Sequence, residues 1–134
     1  MYTLVIKFNL PGIHKWPDAP KKYSYLSQYH RHQFYWKICI AIDNRSDNCD
    51  NRHLEIIELQ QSCITALEGH FKRFVKTCNI ELLDFKDMSC EQIAFKTYKL
   101  VSEILHTGEP FDAKVSQVRV LEDNENGATY HGAS

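Results

Sequence analysis

An alternating segment that opens with two histidines constrains this chain more than any other feature. From His30 to residue 42, every second residue is a histidine or a large apolar residue. Side chains two apart on a β-strand point to the same face. The run therefore predicts a strand over residues 30–43 with one apolar face. His30 and His32 lie side by side at its start.

A third histidine adds to this pair. His14 lies upstream, in a segment over residues 12–20 that is rich in proline and charge. Three neutral imidazoles that leave a fourth position open are how proteins hold a catalytic zinc ion. The spacing indicates a zinc site of His14, His30 and His32, and the alternative is three histidines without a metal. The remaining histidines have no partner spacing and are expected at the surface: His53, His70, His106 and His131.

Length and composition narrow the possible classes. The 134 residues suit one domain, 1–134, and 16 Lys and Arg against 17 Asp and Glu give no basic excess for binding nucleic acid. The apolar runs are too short to cross a membrane, and the first residues have no signal-peptide pattern. The five cysteines include no C-x-x-C pair, which disfavours a disulfide framework or a cysteine zinc site and predicts a reducing cytoplasm.

Hydrophobic periodicity predicts the other elements. The expected strands are 2–9, a short return strand at 53–57, 114–122 and a last one at 128–132, and the expected helices are 58–77 and 90–106. Ser89 and Gln92 form a capping box at the second helix. Residues 10–29 form a long loop whose Trp16 segment is either a lid or a structural corner. The order predicts an α+β chain, with an antiparallel sheet covered on one face by two helices.

Three further side chains lie at the ends of predicted elements. Glu122 ends a strand, and it is either a solvated carboxylate or one that accepts two parallel N–H bonds from a guanine or pterin ring. Glu55 lies at the entry to the first helix, where the helix dipole favours a negatively charged side chain. Cys90 begins the second helix, where a thiol pKa can be lowered, although the sequence places no base beside it.

Taken in order, these features resemble the family of 6-pyruvoyl-tetrahydropterin synthase and 6-carboxytetrahydropterin synthase, whose members have the tunnelling fold. The family places a histidine after its first strand, an H-x-H at the start of its second and a glutamate near the end of its last. His14, the pair His30 and His32, and Glu122 match those places. Softer matches are residues 54–59, 89–94 and 127–130, so the resemblance spans nearly the whole chain.

The resemblance implies a specific site and assembly. His14, His30 and His32 would ligate zinc, and Glu122, with Glu55 and Trp16, would bind a pterin or purine ring. The sheet would have four antiparallel strands, with two helices on its outer face. Subunits would join edge to edge into a barrel, as a trimer or hexamer, which also buries the sheet edges.

The chain departs from the family in its proton-transfer groups. Family enzymes carry a cysteine shortly before the H-x-H and an Asp-His pair between the helices. Here residues 23–29 contain no cysteine and residues 74–87 no histidine. The candidate replacements are Tyr25, Tyr29, Asp84 and Asp87. Two functions remain: a zinc-dependent lyase or synthase acting on a pterin or purine-derived substrate, or a non-catalytic protein that sequesters or senses a nucleotide-type ligand.

Overall fold

One six-stranded sheet organises the chain. The computed structural model describes residues 2–43, 56–76, 79–106 and 112–132. The strands follow the order β3-β4-β1-β2-β5-β6 across the sheet. In chain order the elements are β1 (Tyr2–His14), a 3-10 helix (Lys21–Ser27), β2 (His30–Asp43), α1 (Ile56–Phe71), β3 (Lys72–Val75), β4 (Ile80–Asp84), α2 (Cys90–His106), β5 (Asp112–Glu122) and β6 (Asn126–His131).

The expectation of a four-stranded antiparallel sheet is wrong. The sheet has six strands and is mixed, because β1 and β4 pair in parallel at Gly12 and Ile13. The strand β3 was hidden inside the predicted helix 58–77, since Phe71, Phe74 and Val75 also fit a helical spacing. The helix instead ends at Phe71, and Lys72–Val75 pairs antiparallel with β4.

The first strand is longer than its sequence signals indicate. Pro11 and Gly12 were expected to end it at residue 9, but β1 continues to His14. Gly12 lies under two aromatic rings, where an added Cβ would be 2.9 Å from Phe34 and 3.0 Å from Phe85. Glycine is therefore required here for close packing, not for a turn. The loop predicted at 10–29 is therefore shorter: it lies between His14 and His30 and contains the 3-10 helix.

Other boundaries also shift. Ile56 and Ile57, expected in a return strand at 53–57, begin α1, and the rest of that strand and Glu55 lie outside the described residues. The last strand is Asn126–His131 where 128–132 was expected. Within the described ranges, neither helix is long and apolar enough to span a bilayer.

The core lies between one face of the sheet and the two helices. Apolar residues at even positions of β1 and β2 face α1 and α2, and its largest fully buried side chains include Trp36, Phe34, Phe85, Ile38, Ile40, Leu67 and Ile93. The Trp36 indole N–H donates to Thr97 Oγ1 at 3.2 Å, so its buried polar atom is satisfied. His14, His30 and His32 continue this core face at one end of the sheet.

The predicted capping box at the start of α2 is confirmed. The Ser89 N–H donates to Gln92 Oε1 at 2.9 Å, and the Gln92 N–H donates to Ser89 Oγ at 3.3 Å. This reciprocal pair satisfies backbone donors that the first helical turn leaves free. It also fixes the chain at Met88, immediately before the cap.

Candidate metal centre

Strand register brings the three predicted histidines together. His14 lies directly opposite His30, and Gly12 lies opposite His32, so His32 is the diagonal neighbour of His14. The ring centroid of His14 is 4.5 Å from that of His30 and 5.4 Å from that of His32, and the centroids of His30 and His32 are 4.9 Å apart. One ring nitrogen from each residue lies within 4.8 Å of the others. That separation allows the three nitrogens to share one metal ion.

A separate acceptor holds the Nδ1 atom of each histidine. The acceptors are the Met88 carbonyl, the Gln28 carbonyl and the Asp123 carboxylate, at 3.0, 3.0 and 2.7 Å from His14, His30 and His32, respectively. Because these oxygens can only accept, the proton belongs on Nδ1 and a neutral ring keeps its lone pair on Nε2. This arrangement is typical of metal-bound histidine, whose second nitrogen donates to a carboxylate or carbonyl.

The hairpin between β5 and β6 positions the Asp123 carboxylate. Asp123 and Asn124 have positive φ, 53° and 59°, and the Glu125 N–H donates to the Glu122 carbonyl at 2.9 Å. Asp and Asn tolerate the left-handed region that such a turn needs. Asp123 also accepts the Gln33 N–H at 2.9 Å and donates its own N–H to the Gln33 carbonyl at 2.7 Å. The turn is therefore fixed to the start of β2, beside the histidines.

Glu122 lies against the Nε2 side of the cluster. Its Oε1 is 3.0 Å from His14 Nε2 and its Oε2 is 3.5 Å from His32 Nε2. The His14 Nε2 atom is nevertheless buried without a partner in hydrogen-bond geometry among the described residues. Leaving a buried polar atom unpaired costs free energy, and coordination of a metal would satisfy it. The donor set and this nitrogen fit a metal ion.

Burial and the nearby carboxylate set the protonation of the cluster. Burial lowers the pKa of His14, but contact with Glu122 and the Met88 carbonyl outweighs it and the net pKa is raised. Contact with His14 is the main reason that the pKa of Glu122 is lowered. Burial, followed by its histidine neighbours, lowers the pKa of His30. At neutral pH the site therefore presents a neutral His30 and an ionised carboxylate.

A cavity of about 500 Å³ opens beside His14 and His30. Its other lining residues are Lys15, Trp16, Leu26, Asp87, Met88, Ser89, Cys90, Glu91, Glu122, Asn126 and Gly127. Trp16 is 45% exposed and stacks on Tyr23, with 6.3 Å between the ring centroids. Two of the three expected ligand contacts, Glu122 and Trp16, thus line one cavity next to the histidines.

Cys90 also lines this cavity, but as a neutral thiol. Its Sγ lies 3.5 Å from Glu122 Oε1. Burial, reinforced by the charge of Glu122, raises the pKa of Cys90 to about 12. The expectation that the helix start lowers the pKa of Cys90 is therefore wrong, because burial and the nearby Glu122 carboxylate raise it. At neutral pH this cysteine is not a nucleophile.

Among the candidate replacements for the proton-transfer groups, Tyr29 interacts with both Asp84 and Asp87. Tyr25 is 69% exposed. Burial, followed by the charge and hydrogen bond of Asp84, raises the pKa of Tyr29, and Lys15 Nζ lies 4.8 Å from the centre of its ring. Of the four candidates, Asp87 alone lines the cavity.

The sequence did not reveal the groups that orient the histidines. The carbonyls of Met88 and Gln28 have no sequence signal, because any residue could supply them. Asp123 did carry a signal, since it follows Glu122 at a strand end and begins an Asp-Asn turn.

Comparison with known proteins supports the fold. No protein-family model and no curated protein match the sequence. Among solved structures, the uncharacterized protein WS1659 from Wolinella succinogenes has a TM-score of 0.62, with 13% identity over 98% of each chain. The 6-pyruvoyl tetrahydropterin synthase of Caenorhabditis elegans has a TM-score of 0.61, with 13% identity over 98% of this chain and 96% of its own. The chain therefore has the fold of 6-pyruvoyl tetrahydropterin synthase, as its sequence motifs indicate.

Proposed function

We propose that this chain is a zinc-dependent lyase or synthase that acts on a pterin- or purine-type ring. The observation that carries the proposal is the orientation of the three histidines. Each Nδ1 is held by its own acceptor, which leaves Nε2 of each neutral ring to bind a metal, and one ring nitrogen from each residue lies within 4.8 Å of the others. An arrangement of three imidazoles and an adjacent open space is typical of a working zinc site.

The donor set favours zinc over a hard cation. Imidazole nitrogens suit zinc, whereas calcium and magnesium prefer cages of oxygen ligands. When bound, zinc would act as a Lewis acid toward a carbonyl or hydroxyl oxygen of the ligand. The hydrogen bond from His32 Nδ1 to Asp123 makes the Nε2 atom of that imidazole a stronger metal ligand and fixes the ring orientation.

Glu122 is the proposed anchor for the ring. Its side chain is 31% exposed and its lowered pKa keeps it ionised. Its two oxygens lie against His14 Nε2 and His32 Nε2, and once a metal takes those nitrogens both oxygens would be available to two parallel N–H groups. A ring bound there would lie next to the proposed metal. Trp16 supplies a flat apolar wall to the same cavity, and Glu55 is retained as a second carboxylate on the basis of the sequence alone.

We also propose that the site works in a homo-oligomer, a trimer or hexamer. Within the described residues, β1 pairs with β4 at Gly12 and Ile13 alone, so no strand pairs with this edge from residue 2 to 10. At the other side of the sheet, β6 is the last strand. Exposed sheet edges tend to recruit another strand. Joining β1 of one subunit to β6 of the next would cover both edges.

The alternative is a binding protein without turnover, which sequesters or senses a nucleotide-type ligand. The protonated Cys90 thiol and the exposed Tyr25 favour it, because a lyase of this kind needs a positioned acid and base. The two functions share the metal and the ring pocket. They differ in whether the ligand leaves the protein chemically changed.

Glu122 provides the test of the ring pocket. Zinc-loaded protein would be titrated with reduced pterins and guanine nucleotides, and the products would be analysed by mass spectrometry. Glu122→Gln should weaken ring binding by about 1–3 kcal/mol, the range of a charged hydrogen bond. Glu125→Gln, an exposed carboxylate of the same hairpin, should bind like the wild type. Equal affinity in wild type and Glu122→Gln would refute the proposed anchor, and tight binding without product would favour the alternative.

A further inference from the structure

A row of three cations crosses the face of the sheet that carries no helices. Lys7 on β1 lies directly opposite Lys37 on β2, and Lys37 lies directly opposite Arg119 on β5. Their side chains share one face, opposite to that of the histidines, because all three occupy odd positions, in β1, β2 and β5, and lie directly opposite one another. The row spans two strand spacings, about 10 Å.

The described residues do not compensate these charges. The ion pairs in that part of the chain involve other groups, and none includes Lys7, Lys37 or Arg119. Lys37 and Arg119 are also partly buried, which limits compensation by water. Like charges directly opposite each other destabilise a sheet. Two such pairs side by side indicate that a counter-charge belongs here.

The row borders a cavity that offers further donors. This cavity has a volume of about 320 Å³, and its polar lining residues include Asn9, Tyr35 and Asn124. Amide and phenol groups donate hydrogen bonds to an oxyanion, while Leu121 supplies an apolar border. Arginine binds phosphate with two parallel N–H bonds and lysine binds it as a point charge.

We propose that this second cavity binds an oligophosphate group, that is, two or more linked phosphates. A single phosphate would contact one or two of the cations, whereas a linked chain can follow all three across the strands. The group could be inorganic or part of a nucleotide, since the recognising chemistry is the same. This site is independent of zinc, because it lies on the opposite face of the sheet.

The test is calorimetric titration of the whole protein with inorganic tripolyphosphate, at low and at physiological salt. The wild type should bind saturably and more weakly as salt rises. Lys37→Gln with Arg119→Gln should weaken binding by about tenfold or more, as expected for losing charged hydrogen bonds. The charge-matched control Lys76→Gln with Lys99→Gln, on exposed positions elsewhere, should bind like the wild type.

Thermal unfolding shows whether the variant that lacks Lys37 and Arg119 still folds. Without ligand, Lys37→Gln with Arg119→Gln should melt at or above the wild-type temperature, because it removes repulsion between like charges. Binding should also persist in His30→Ala with His32→Ala, which separates this site from the proposed metal. Failure of zinc binding would thus leave this proposal standing.

The sources of the group are distinguished by repeating the titration with nucleoside triphosphates. Equal affinity would indicate that the phosphates alone are recognised, and tighter nucleotide binding would indicate that the base adds contacts. Either result supports the site. The proposal would be overturned if the wild type did not bind tripolyphosphate saturably, or if Lys37→Gln with Arg119→Gln bound it with equal affinity. It would also be overturned if His30→Ala with His32→Ala lost tripolyphosphate binding, or if the protein bound an oligonucleotide but not tripolyphosphate.

Discussion

At the scale of single residues, the second nitrogen of each histidine decides what the first can do. The sequence predicted His14, His30 and His32 correctly as a cluster, because H-x-H in a strand fixes which face both imidazoles share. It did not predict their tautomers, since the Met88 and Gln28 carbonyls come from backbone that folds into place. Side-chain spacing therefore predicts the ligands but not their orientation.

Asp123 carries the residue-scale prediction. Asp123→Asn keeps the shape of the side chain and tolerates the positive φ, but it removes the charge that faces His32 Nδ1. Zinc affinity should fall by about 10- to 100-fold, as is typical when such an outer partner is changed. A competition titration with a chelator would measure it. Glu125→Gln removes a charge from the same hairpin and should leave affinity unchanged, and unaltered affinity in Asp123→Asn would contradict the assigned role.

At the scale of elements, local signals succeeded where they were strong and failed where two periods coincided. The capping box of Ser89 and Gln92 has a distinct pattern and was predicted correctly. The strand β3 was missed because Phe71, Phe74 and Val75 suit either a helix or a strand edge. Pro11 and Gly12 misled for another reason: Gly12 fits under Phe34 and Phe85, a tertiary constraint that no local pattern shows.

The cap gives the prediction at this scale. Ser89→Ala removes the acceptor of the Gln92 N–H, and the free energy of unfolding should drop by about 1 kcal/mol. Urea denaturation of metal-free protein would measure this loss. Ser102→Ala, in the interior of α2, should change stability far less, because it removes no cap. Equal stability of the two variants would mean that the cap does not support the helix start beside His14.

At the scale of the whole molecule, the open edge of β1 is where the proposed assembly would form. Gln60 donates to the Lys7 carbonyl at 2.6 Å from outside the sheet, and the Phe85 N–H reaches the Ile13 carbonyl from the same side. The N–H and carbonyl of one strand residue point the same way, so odd residues of β1 present their backbone to the open edge. Among the described residues, the Val5 N–H therefore points away from β2 and would be available to a neighbouring subunit.

Val5 gives the assembly prediction. Val5→Pro removes an outward N–H while leaving the β1–β2 ladder intact, so the subunit should fold but assemble more weakly. Val5→Thr keeps the N–H and should assemble like the wild type. Native mass spectrometry would report both masses. A wild-type chain that is monomeric at micromolar concentration, or a Val5→Pro variant that assembles fully, would contradict edge-to-edge association.

The central claim is that three histidines hold a metal, and elemental analysis tests it most directly. Protein purified without chelator and then supplied with zinc should contain about one zinc per subunit. His30→Ala with His32→Ala should lose that zinc while keeping its circular dichroism spectrum. The control His70→Ala with His106→Ala, which changes exposed histidines in the last turns of α1 and α2, should keep it. Unchanged zinc in the His30 and His32 variant, or no zinc in the wild type, would contradict the account.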